Sequence, residues 1–500
     1  MSTAAATPAP PVKPPSLAGT LDDFSDRLSP MLVKELRQGL RGKTFVIVFL
    51  TLQALLTFVL LIAVSAAPST DAGHVVSSVI FFFYSLAVLV VQPLRGIGSL
   101  HHEIRGNTID LMVLTRMSSW RIALGKWVAI VSQSGLLLAA IAPYLILRYF
   151  FGRMELFAEL LLLALIFAGS AVFTAITVGL SAMPSIFLRG LLPLFLGVFL
   201  AWGICAVLAE GELKEMIGFC TLQDPGSAWA LLAGVLTAAY AAWLALALGV
   251  SAIAPRAENH SSIRRLISLA AVVLLGLLGM AGKFDREATG PLLVLFCAPA
   301  VAIALTEPLT LMPPIVRPFL RYGLVGRLAG RILYPGWISG AVFSAVLVVV
   351  AIGAVLIGKD SADERLHISL VAALGTLLFP GVVLRLFSRK VQNPLPFYIF
   401  ILVVTLAITV GIMIAAIQTD NHPFVWYFSW IPPVQVFLPD VLRDQAGHSA
   451  TGPPDYSLVL KVAIGTAAGY LAILLACAFR NFPAIREVEE ETTNTPVGPP

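Results

Sequence analysis

Apolar runs long enough to cross a lipid bilayer recur along this whole chain, and they constrain its fold more than any other feature. A membrane-spanning helix needs about 20 mostly apolar residues. Twelve runs meet this length: Thr44–Ala66, Val75–Leu94, Trp127–Leu147, Leu156–Leu180, Phe187–Leu208, Ala228–Ile253, Leu266–Gly282, Leu292–Met312, Trp337–Ile357, Ile368–Phe387, Phe397–Ile417 and Leu458–Phe479. Only 12% of the residues are charged, against about a quarter in soluble domains. The sequence therefore predicts an all-α polytopic membrane protein with about twelve transmembrane helices.

The runs divide into two halves of six spans each, over residues 29–255 and 256–480. A Pro/Ala-rich tail, 1–28, precedes them and is predicted to be disordered, and an acidic, Pro-rich tail, 481–500, follows them. Each half has its longest or near-longest outer loop before its sixth span. The second of these loops is rich in aromatic residues, which suit the membrane interface. It is either a helix that dips back into the outer leaflet or a surface loop.

Basic residues orient the spans, because Lys and Arg next to a span stay on the cytoplasmic side. With both termini inside, most of the 33 Lys and Arg residues fall in inner segments. We therefore predict a protein of the bacterial cytoplasmic membrane with both termini in the cytoplasm and with membrane lipid as a partner. No basic face is interleaved with aromatic residues, so we predict no nucleic-acid partner.

An amphipathic helix is predicted directly before the first span. Ser29 is suited to cap it, and Pro30 is suited to its first turn. Leucines recur every fourth residue from Leu32 to Leu40, while basic residues lie elsewhere around the helix. A helix with this pattern lies along the inner membrane surface.

The polar segment Arg95–Lys126 separates the second run from the third. Thr108 is suited to cap a short helix that runs to about Thr115, with Asp110 in its first turn. Ser118, or the serine after it, is suited to cap a second helix that leads into the third span. Two short helices at the membrane face predict a docking surface for a partner.

This segment also resembles a known family. The motif residues are Glu103, Thr108, Asp110, Leu111, Leu114, Thr115, Ser118, Gly125 and Lys126. In order and spacing they resemble the segment that type-2 ABC transporter permeases carry between their second and third spans. The resemblance covers roughly residues 29–256, including the amphipathic helix, which is similar to the elbow helix of that family. Three positions depart from the family pattern: Asn107, where glycine is common, Met112, where leucine is common, and Arg116, where proline is usual.

The resemblance implies a function. In that family the segment forms the coupling helix, which docks a separate cytoplasmic ABC ATPase subunit, so the implied function is the permease subunit of an ATP-driven exporter. The implied partner-docking residues are Glu103, Arg105, Thr108, Asp110, Leu111, Leu114, Thr115, Arg121 and Lys126. A second permease chain is left open as a further partner.

The sequence contains no complete phosphate-binding loop. Gly42, Lys43 and Thr44 match the end of such a loop, but Arg37 stands where the loop needs a glycine. The four cysteines lie far apart and form no C-x-x-C motif. We therefore predict no catalytic residue, metal or cofactor in this chain, with ATP and magnesium bound by the partner ATPase.

Glu307 lies near the inner end of the eighth run. An ionisable residue at membrane depth is by default a functional-site hypothesis, such as a proton or ion relay, and the alternative is a carboxylate paired with or hydrated near the arginines of Pro313–Gly336. Gly323, Gly330 and Arg331 in that segment resemble a loop of major facilitator transporters. A secondary transporter is therefore the alternative function, and a non-transporting membrane scaffold is the third.

Overall fold

All the secondary structure that the computed structural model describes is helical. The structure describes residues 30–65, 72–109, 117–149, 155–255, 258–281, 286–357, 364–387, 391, 393–419, 422–439 and 456–494. Within them, twelve helices are long and apolar enough to cross a membrane, which confirms the predicted all-α polytopic membrane protein. The N-terminal tail 1–28, predicted to be disordered, lies outside the described residues.

The spanning helices follow the predicted apolar runs. They are α2 (Lys43–Ser65), α3 (Ala72–Ser85), α6 (Ser119–Tyr149), α7 (Leu156–Ser181), α8 (Leu192–Glu210), α10 (Pro225–Ile253), α11 (His260–Met280), α12 (Arg286–Thr306), α15 (Trp337–Ile357), α16 (Glu364–Phe387), α17 (Pro394–Thr419) and α18 (Tyr456–Arg480). The shorter helices are α1 (Pro30–Leu40), α4 (Gln92–Leu94), α5 (Ser99–Arg105), α9 (Leu213–Cys220), α13 (Pro313–Leu320), α14 (Gly323–Leu333) and α19 (Pro483–Asn494). A π-helical stretch, Leu86–Val91, joins α3 to α4, and a second one, Phe187–Leu191, leads into α8. The second candidate span is therefore longer than α3 and covers Val76–Arg105, and the fifth begins at Phe187.

The seventh span begins earlier than its apolar run. α11 starts at His260 rather than Leu266, because the Asn259 side chain accepts a hydrogen bond from the Ser262 amide at 3.1 Å and caps the helix. The polar first turns of α11 are therefore helical. They carry two adjacent buried arginines, 264 and 265, toward the neighbouring spans.

The eighth span ends earlier than its apolar run. α12 ends at Thr306 rather than Met312, since Pro308 disfavours helical geometry at Glu307. The chain then stays irregular until the prolines at the start of α13, where a fixed φ suits the first helical turn. Glu307 consequently lies just beyond the helix end and not within the span.

Each half packs its fourth span most extensively against its sixth: α7 against α10, and α16 against α18. Small residues allow the close approach in both pairs. A Cβ added at Gly249 would lie 2.8 Å from the Gly179 Cα atom, and one added at Gly375 would lie 3.3 Å from the Ala467 Cβ atom. The two halves therefore share a packing arrangement as well as a number of spans.

A short helix before the sixth span is a second feature that both halves share. In the first half, α9 packs on α7 and buries Cys220. In the second half, residues 432–439 are helical and bury Val434 and Leu438, and the Ser369 hydroxyl of α16 donates to the Val436 carbonyl at 2.8 Å. Residues 432–439 of the aromatic-rich loop therefore pack against the helix bundle, whereas Tyr427 and Trp430 of the same loop are exposed.

The sixth span joins the halves. Tyr240 of α10 stacks on Phe296 of α12 with 4.4 Å between ring centroids, and its hydroxyl donates to Ser268 of α11 at 2.8 Å. Both partners belong to the second half, so the two halves share a continuous core around α10.

The C-terminal tail 481–500 contains a helix that packs on the body of the protein. This helix, α19, contacts α13, and Glu489 lies 3.4 Å from the Arg331 guanidinium of α14. The acidic stretch at the end of the chain thus lies against the basic segment between the eighth and ninth spans.

Gly340→Ala should destabilise the fold, because α15 crosses α12 at this glycine. An added Cβ would collide with the Ala304 carbonyl oxygen, and overpacking of this kind typically costs about 1–3 kcal/mol. The measurement is the thermal unfolding midpoint of purified protein in detergent. Gly353→Ala is the matched control in the same helix, where an added Cβ would meet nothing within 4 Å. Equal midpoints for the two variants would contradict the close crossing.

Candidate functional site

The predicted docking segment is described in part. The predicted contact residues Asp110, Leu111, Leu114 and Thr115 lie outside the described residues. Glu103, Arg105, Thr108, Arg121 and Lys126 lie within them. The described residues are enough to show how both ends of the segment join the membrane helices.

The first end of the segment is built onto the fourth span. The Ser181 hydroxyl of α7 lies 3.1 Å from the Leu100 amide and 3.2 Å from the Ser99 hydroxyl, so it binds the first turn of α5. One turn earlier in α7, the Thr177 hydroxyl donates to the Pro93 carbonyl at 2.7 Å. A Cβ at Gly96 would collide with that hydroxyl, so a side chain there would separate the two elements.

α5 also contacts the start of the fifth span. Arg189, in the π-helical stretch before α8, lies 2.9 Å from Nδ1 of His101 through its Nη1 atom. α5 is therefore held by the fourth and fifth spans together.

The turn after α5 folds Thr108 back onto that helix. Asn107 adopts φ 53°, a left-handed conformation that asparagine tolerates better than most residues, and the chain is helical again at Thr108. The Thr108 hydroxyl donates to the Glu103 carbonyl at 3.1 Å and also bonds the Glu103 carboxylate, so it closes the turn onto α5. The helix that Thr108 was predicted to cap lies, from residue 110 on, outside the described residues.

A buried ion network joins three helices at this point. Lys126 of α6 lies 3.0 Å from the Glu35 carboxylate of α1 and 3.2 Å from the Glu103 carboxylate of α5. Lys34 lies 4.0 Å from the same Glu103 oxygen. The Lys126 side chain is 6% exposed and the Glu103 side chain 14%, so the two charges pair with each other inside the protein and are largely shielded from solvent. Removing one member of such a group leaves an uncompensated buried charge.

Arg95 forms a second group of contacts between these helices, next to the Lys126 ion network. Its guanidinium donates to Gln92 at 2.8 Å, to the Gln133 side chain of α6, and to the Gly39 carbonyl of α1 at 3.3 Å. A Cβ at Gly39 would collide with Gln133, so α1 packs directly on the third span.

Close packing also explains the Gly-Lys pair of the motif. A Cβ at Gly125 would lie 3.2 Å from Met31 of α1. The glycine therefore lets α1 approach α6, and Lys126 then reaches Glu35 of the same helix.

The second end of the segment follows the predicted capping. The Ser118 hydroxyl lies 3.4 Å from the Arg121 amide, so Ser118 rather than Ser119 caps α6. Arg105, Ser118 and Arg121 are exposed, so they are open to a partner; the other exposed residues in the described part of the segment are His102, Gly106, Asn107 and Leu124.

Three of the residues that hold this site were absent from the sequence prediction: Glu35, Gln133 and Ser181. Gln133 carried a signal, because a glutamine within an apolar run needs a hydrogen-bond partner. Glu35 and Ser181 carried none that a single sequence reveals, since their partners lie far away along the chain.

Glu307 forms a separate cluster where the seventh span begins and the eighth ends. Its carboxylate lies 2.8 Å from the Arg264 guanidinium and 2.7 Å from that of Arg265, and it accepts the Gly336 amide at 3.2 Å. The Ser261 hydroxyl also bonds it. The alternative to a relay was a carboxylate paired with or hydrated near the arginines of Pro313–Gly336. Glu307 is indeed paired with arginines, but they lie in the first turns of α11, which the apolar count had left out of the helix.

The charge state of Glu307 follows from this arrangement. Burial by itself raises the pKa of the carboxyl, but the two guanidinium groups and the hydrogen bonds outweigh it and hold the pKa below its usual range. A carboxylate saturated in this way stays ionised. The geometry favours a structural clamp over the proton or ion relay that the sequence suggested.

Among the described residues, no group of three or more His, Cys, Asp or Glu side chains is placed to hold a metal ion. The segment 95–126 and the Glu307 cluster are the two polar centres described above. No family model, curated protein or solved structure matches the chain.

Proposed function

We propose that this chain is the membrane-spanning permease subunit of an ATP-driven ABC exporter, which docks a separate cytoplasmic ATPase subunit through residues 95–126. The observation that carries the proposal is the buried network of Lys126, Glu103 and Glu35, which ties the segment to the helices on either side. A loop that only connects two spans needs no such network. The resemblance of the motif to type-2 ABC permeases supplies the partner class.

The contacts support a mechanism in which force on the segment moves several spans together. ATP binding in the partner closes the ATPase dimer, and this closure displaces the docked segment. α5 then carries the displacement to the fourth span through Ser181 and to the fifth through Arg189, while Lys126 carries it to the third. Different contacts in the two states shift the equilibrium between inward-facing and outward-facing arrangements.

The proposal assigns each part of the segment a separate role. Glu103 and Lys126 are positioning residues, since they bind each other and not solvent. Arg105 and Arg121 are exposed and supply charge at the rim of the docking surface. The sequence motif assigns Leu111 and Leu114 as the apolar anchors. The test is whether an ATPase subunit co-purifies with the tagged chain from membranes in mild detergent.

The alternative of a secondary transporter rests on Gly323, Gly330 and Arg331, in the segment between the eighth and ninth spans. Local structure accounts for each of them. Gly323 adopts φ 59°, a left-handed conformation that favours glycine, and a Cβ at Gly330 would collide with the Tyr334 ring. Arg331 lies 3.4 Å from the Glu489 carboxylate. These residues therefore have a structural reason that needs no transporter motif, and we keep the permease proposal.

The proposal places both termini and residues 95–126 in the cytoplasm of the bacterial inner membrane. We therefore expect Ser118→Cys and Thr493→Cys, in a background without native cysteines, to resist an impermeant thiol reagent added to intact cells. Gln223→Cys, between the fifth and sixth spans, should react. All three positions are exposed, so accessibility within the protein does not limit the reaction. Permeabilised cells are the control, and labelling at Ser118→Cys in intact cells would reverse the topology.

A further inference from the structure

An apolar pocket of about 610 Å³ opens where the ninth and twelfth spans meet the segment between the eighth and ninth. Its lining residues are Leu328, Arg331, Ile332, Val342, Phe479, Phe482, Pro483 and Arg486. Six of them are apolar and two are arginines. The pocket therefore combines an apolar wall with a cationic edge.

The aromatic and cationic groups of the pocket lie in contact. Phe479 and Phe482 stack with 5.4 Å between ring centroids, and the Arg331 guanidinium lies 5.7 Å from the centroid of Phe482. Phe479 and Leu328 are 61% and 55% exposed, so the apolar wall is open. Arg486, in the first turn of α19, is also exposed.

The helix that carries Arg331 has the character of a helix at a membrane surface. α14 and the turn before it expose Tyr322, Leu324 and Val325 at 73–78%. Further exposed arginines lie on α13, on α14 and in the turn between them: Arg317, Arg321 and Arg327. Residues 313–336 contain no Asp or Glu. Exposed apolar side chains beside arginines suit the boundary between acyl chains and anionic headgroups.

We propose that this pocket binds a phospholipid with an anionic headgroup. Arg331 and Arg486 bind the headgroup phosphate, because a guanidinium presents parallel N–H donors that match phosphate oxygens. One acyl chain lies along the apolar wall, against Leu328, Phe479 and Phe482. Glu489 lies 3.4 Å from Arg331 and competes with the phosphate for that arginine.

Two features favour a lipid over a free anion. The pocket lies at the ends of two spanning helices, where bilayer lipid is the surrounding solvent. Its wall is mostly apolar, and a soluble phosphate would leave that wall without a partner, whereas an acyl chain covers it. The proposal does not depend on the ATPase partner, so it stands or fails independently of the proposed function.

The test measures lipid binding to the purified full chain, by native mass spectrometry in detergent. We expect phosphatidylglycerol to bind at least tenfold more tightly than phosphatidylcholine, and glycerol phosphate to compete weakly. Arg486→Gln should weaken phosphatidylglycerol binding roughly tenfold, because it removes one charge-assisted hydrogen bond to the phosphate. Arg331→Gln should do the same. It also removes the contact with Glu489, so Arg486→Gln is the cleaner of the two.

Arg327→Gln is the matched control, because Arg327 is exposed on the same helix as Arg331 and does not line the pocket. It should leave the phosphatidylglycerol affinity within about twofold of wild type. An equal loss in Arg327→Gln would show that diffuse charge attracts the lipid and would overturn the site. Equal binding of phosphatidylcholine, or full competition by glycerol phosphate, would overturn the assignment of an anionic phospholipid.

Discussion

Glu307→Ala should lower the free energy of unfolding by about 3–5 kcal/mol, the largest loss of stability that we expect from a single exchange in this chain. Its side chain is 12% exposed, and its carboxylate lies 2.8 and 2.7 Å from two guanidinium groups. Alanine removes the carboxylate and leaves Arg264 and Arg265 buried beside each other. The cost comes from those two uncompensated charges rather than from the loss of one favourable contact.

The measurement is the thermal unfolding midpoint of the purified chain in one detergent, with Glu258→Ala as the control. Glu258 lies just before the same helix and pairs with His260 at 2.8 Å, but its side chain is 48% exposed. Exposed ion pairs contribute about 0–1 kcal/mol, so this control should unfold close to wild type. Equal midpoints for the two variants would show that the Glu307 cluster does not clamp the fold.

A double-mutant cycle isolates the pair. Glu307→Gln and Arg264→Gln should each destabilise the chain, and the double variant should lose less than their sum, because each single change already breaks the shared contact. Arg264 also lies 3.1 Å from Ser251 near the C-terminal end of α10, so the cluster holds that end of the sixth span as well. If the two losses of stability were strictly additive, Glu307 and Arg264 would not stabilise the chain as a pair.

The pH dependence has a definite sign. The pKa of Glu307 is held below its usual range in the folded protein. The stability that its ionised form contributes is therefore fully present above the pKa of a glutamate in the unfolded chain, about 4.3. That stability is lost as the pH falls through the lower pKa of the folded state. The difference between wild type and Glu307→Gln should therefore be constant above about pH 5 and shrink in acid.

Local signals account for what the sequence predicted well. The twelve spans follow from the length of apolar runs, and α1 follows from leucines at every fourth position. Ser118 follows from its position before a helical run, where a hydroxyl satisfies a free backbone amide. Each of these features depends on residues close together in the chain, so each is readable before any tertiary contact is known.

The ion networks were not readable in this way. Lys126 binds Glu35 and Glu103 because α1 packs on α6, and nothing near Lys126 in the sequence indicates that packing. The partners of Glu307 were misassigned because a count of apolar residues begins a helix after its polar first turns. α11 includes those turns and brings Arg264 and Arg265 to the carboxylate. Helix ends with charged residues are thus where such a count fails.

Leu111→Asp should release the ATPase subunit and abolish transport while leaving the permease folded and inserted. In the helix that the sequence predicts from Thr108 to Thr115, Leu111 and Leu114 lie on one face, three residues apart. The proposed function makes them apolar anchors in the partner. Loss of a buried anchor at an interface costs about 2 kcal/mol or more, and a buried aspartate adds the desolvation of a charge.

Two neighbouring changes separate docking from folding. Ile109 is 6% exposed and packs in one cluster with Leu100 and Ile122, so Ile109→Asp should reduce the amount of folded permease itself. Arg121 is exposed, so Arg121→Ala removes only a rim charge and should weaken ATPase association by less than about 1 kcal/mol. Leu111→Asp should resemble neither: its permease should elute as wild type does in size-exclusion chromatography, but without the partner.

The experiment compares ATPase subunits that co-purify with the tagged wild-type chain and with Leu111→Asp, from the same membranes in mild detergent. The comparison also separates the three functions. A secondary transporter has no such subunit to lose, and its transport follows an ion gradient; a scaffold has no transport to abolish. If no ATPase accompanies the wild-type chain, or if Leu111→Asp retains it in full, the docking role of residues 95–126 is wrong. The buried network of Lys126, Glu103 and Glu35 then serves only to hold α1 and α5 against the third span.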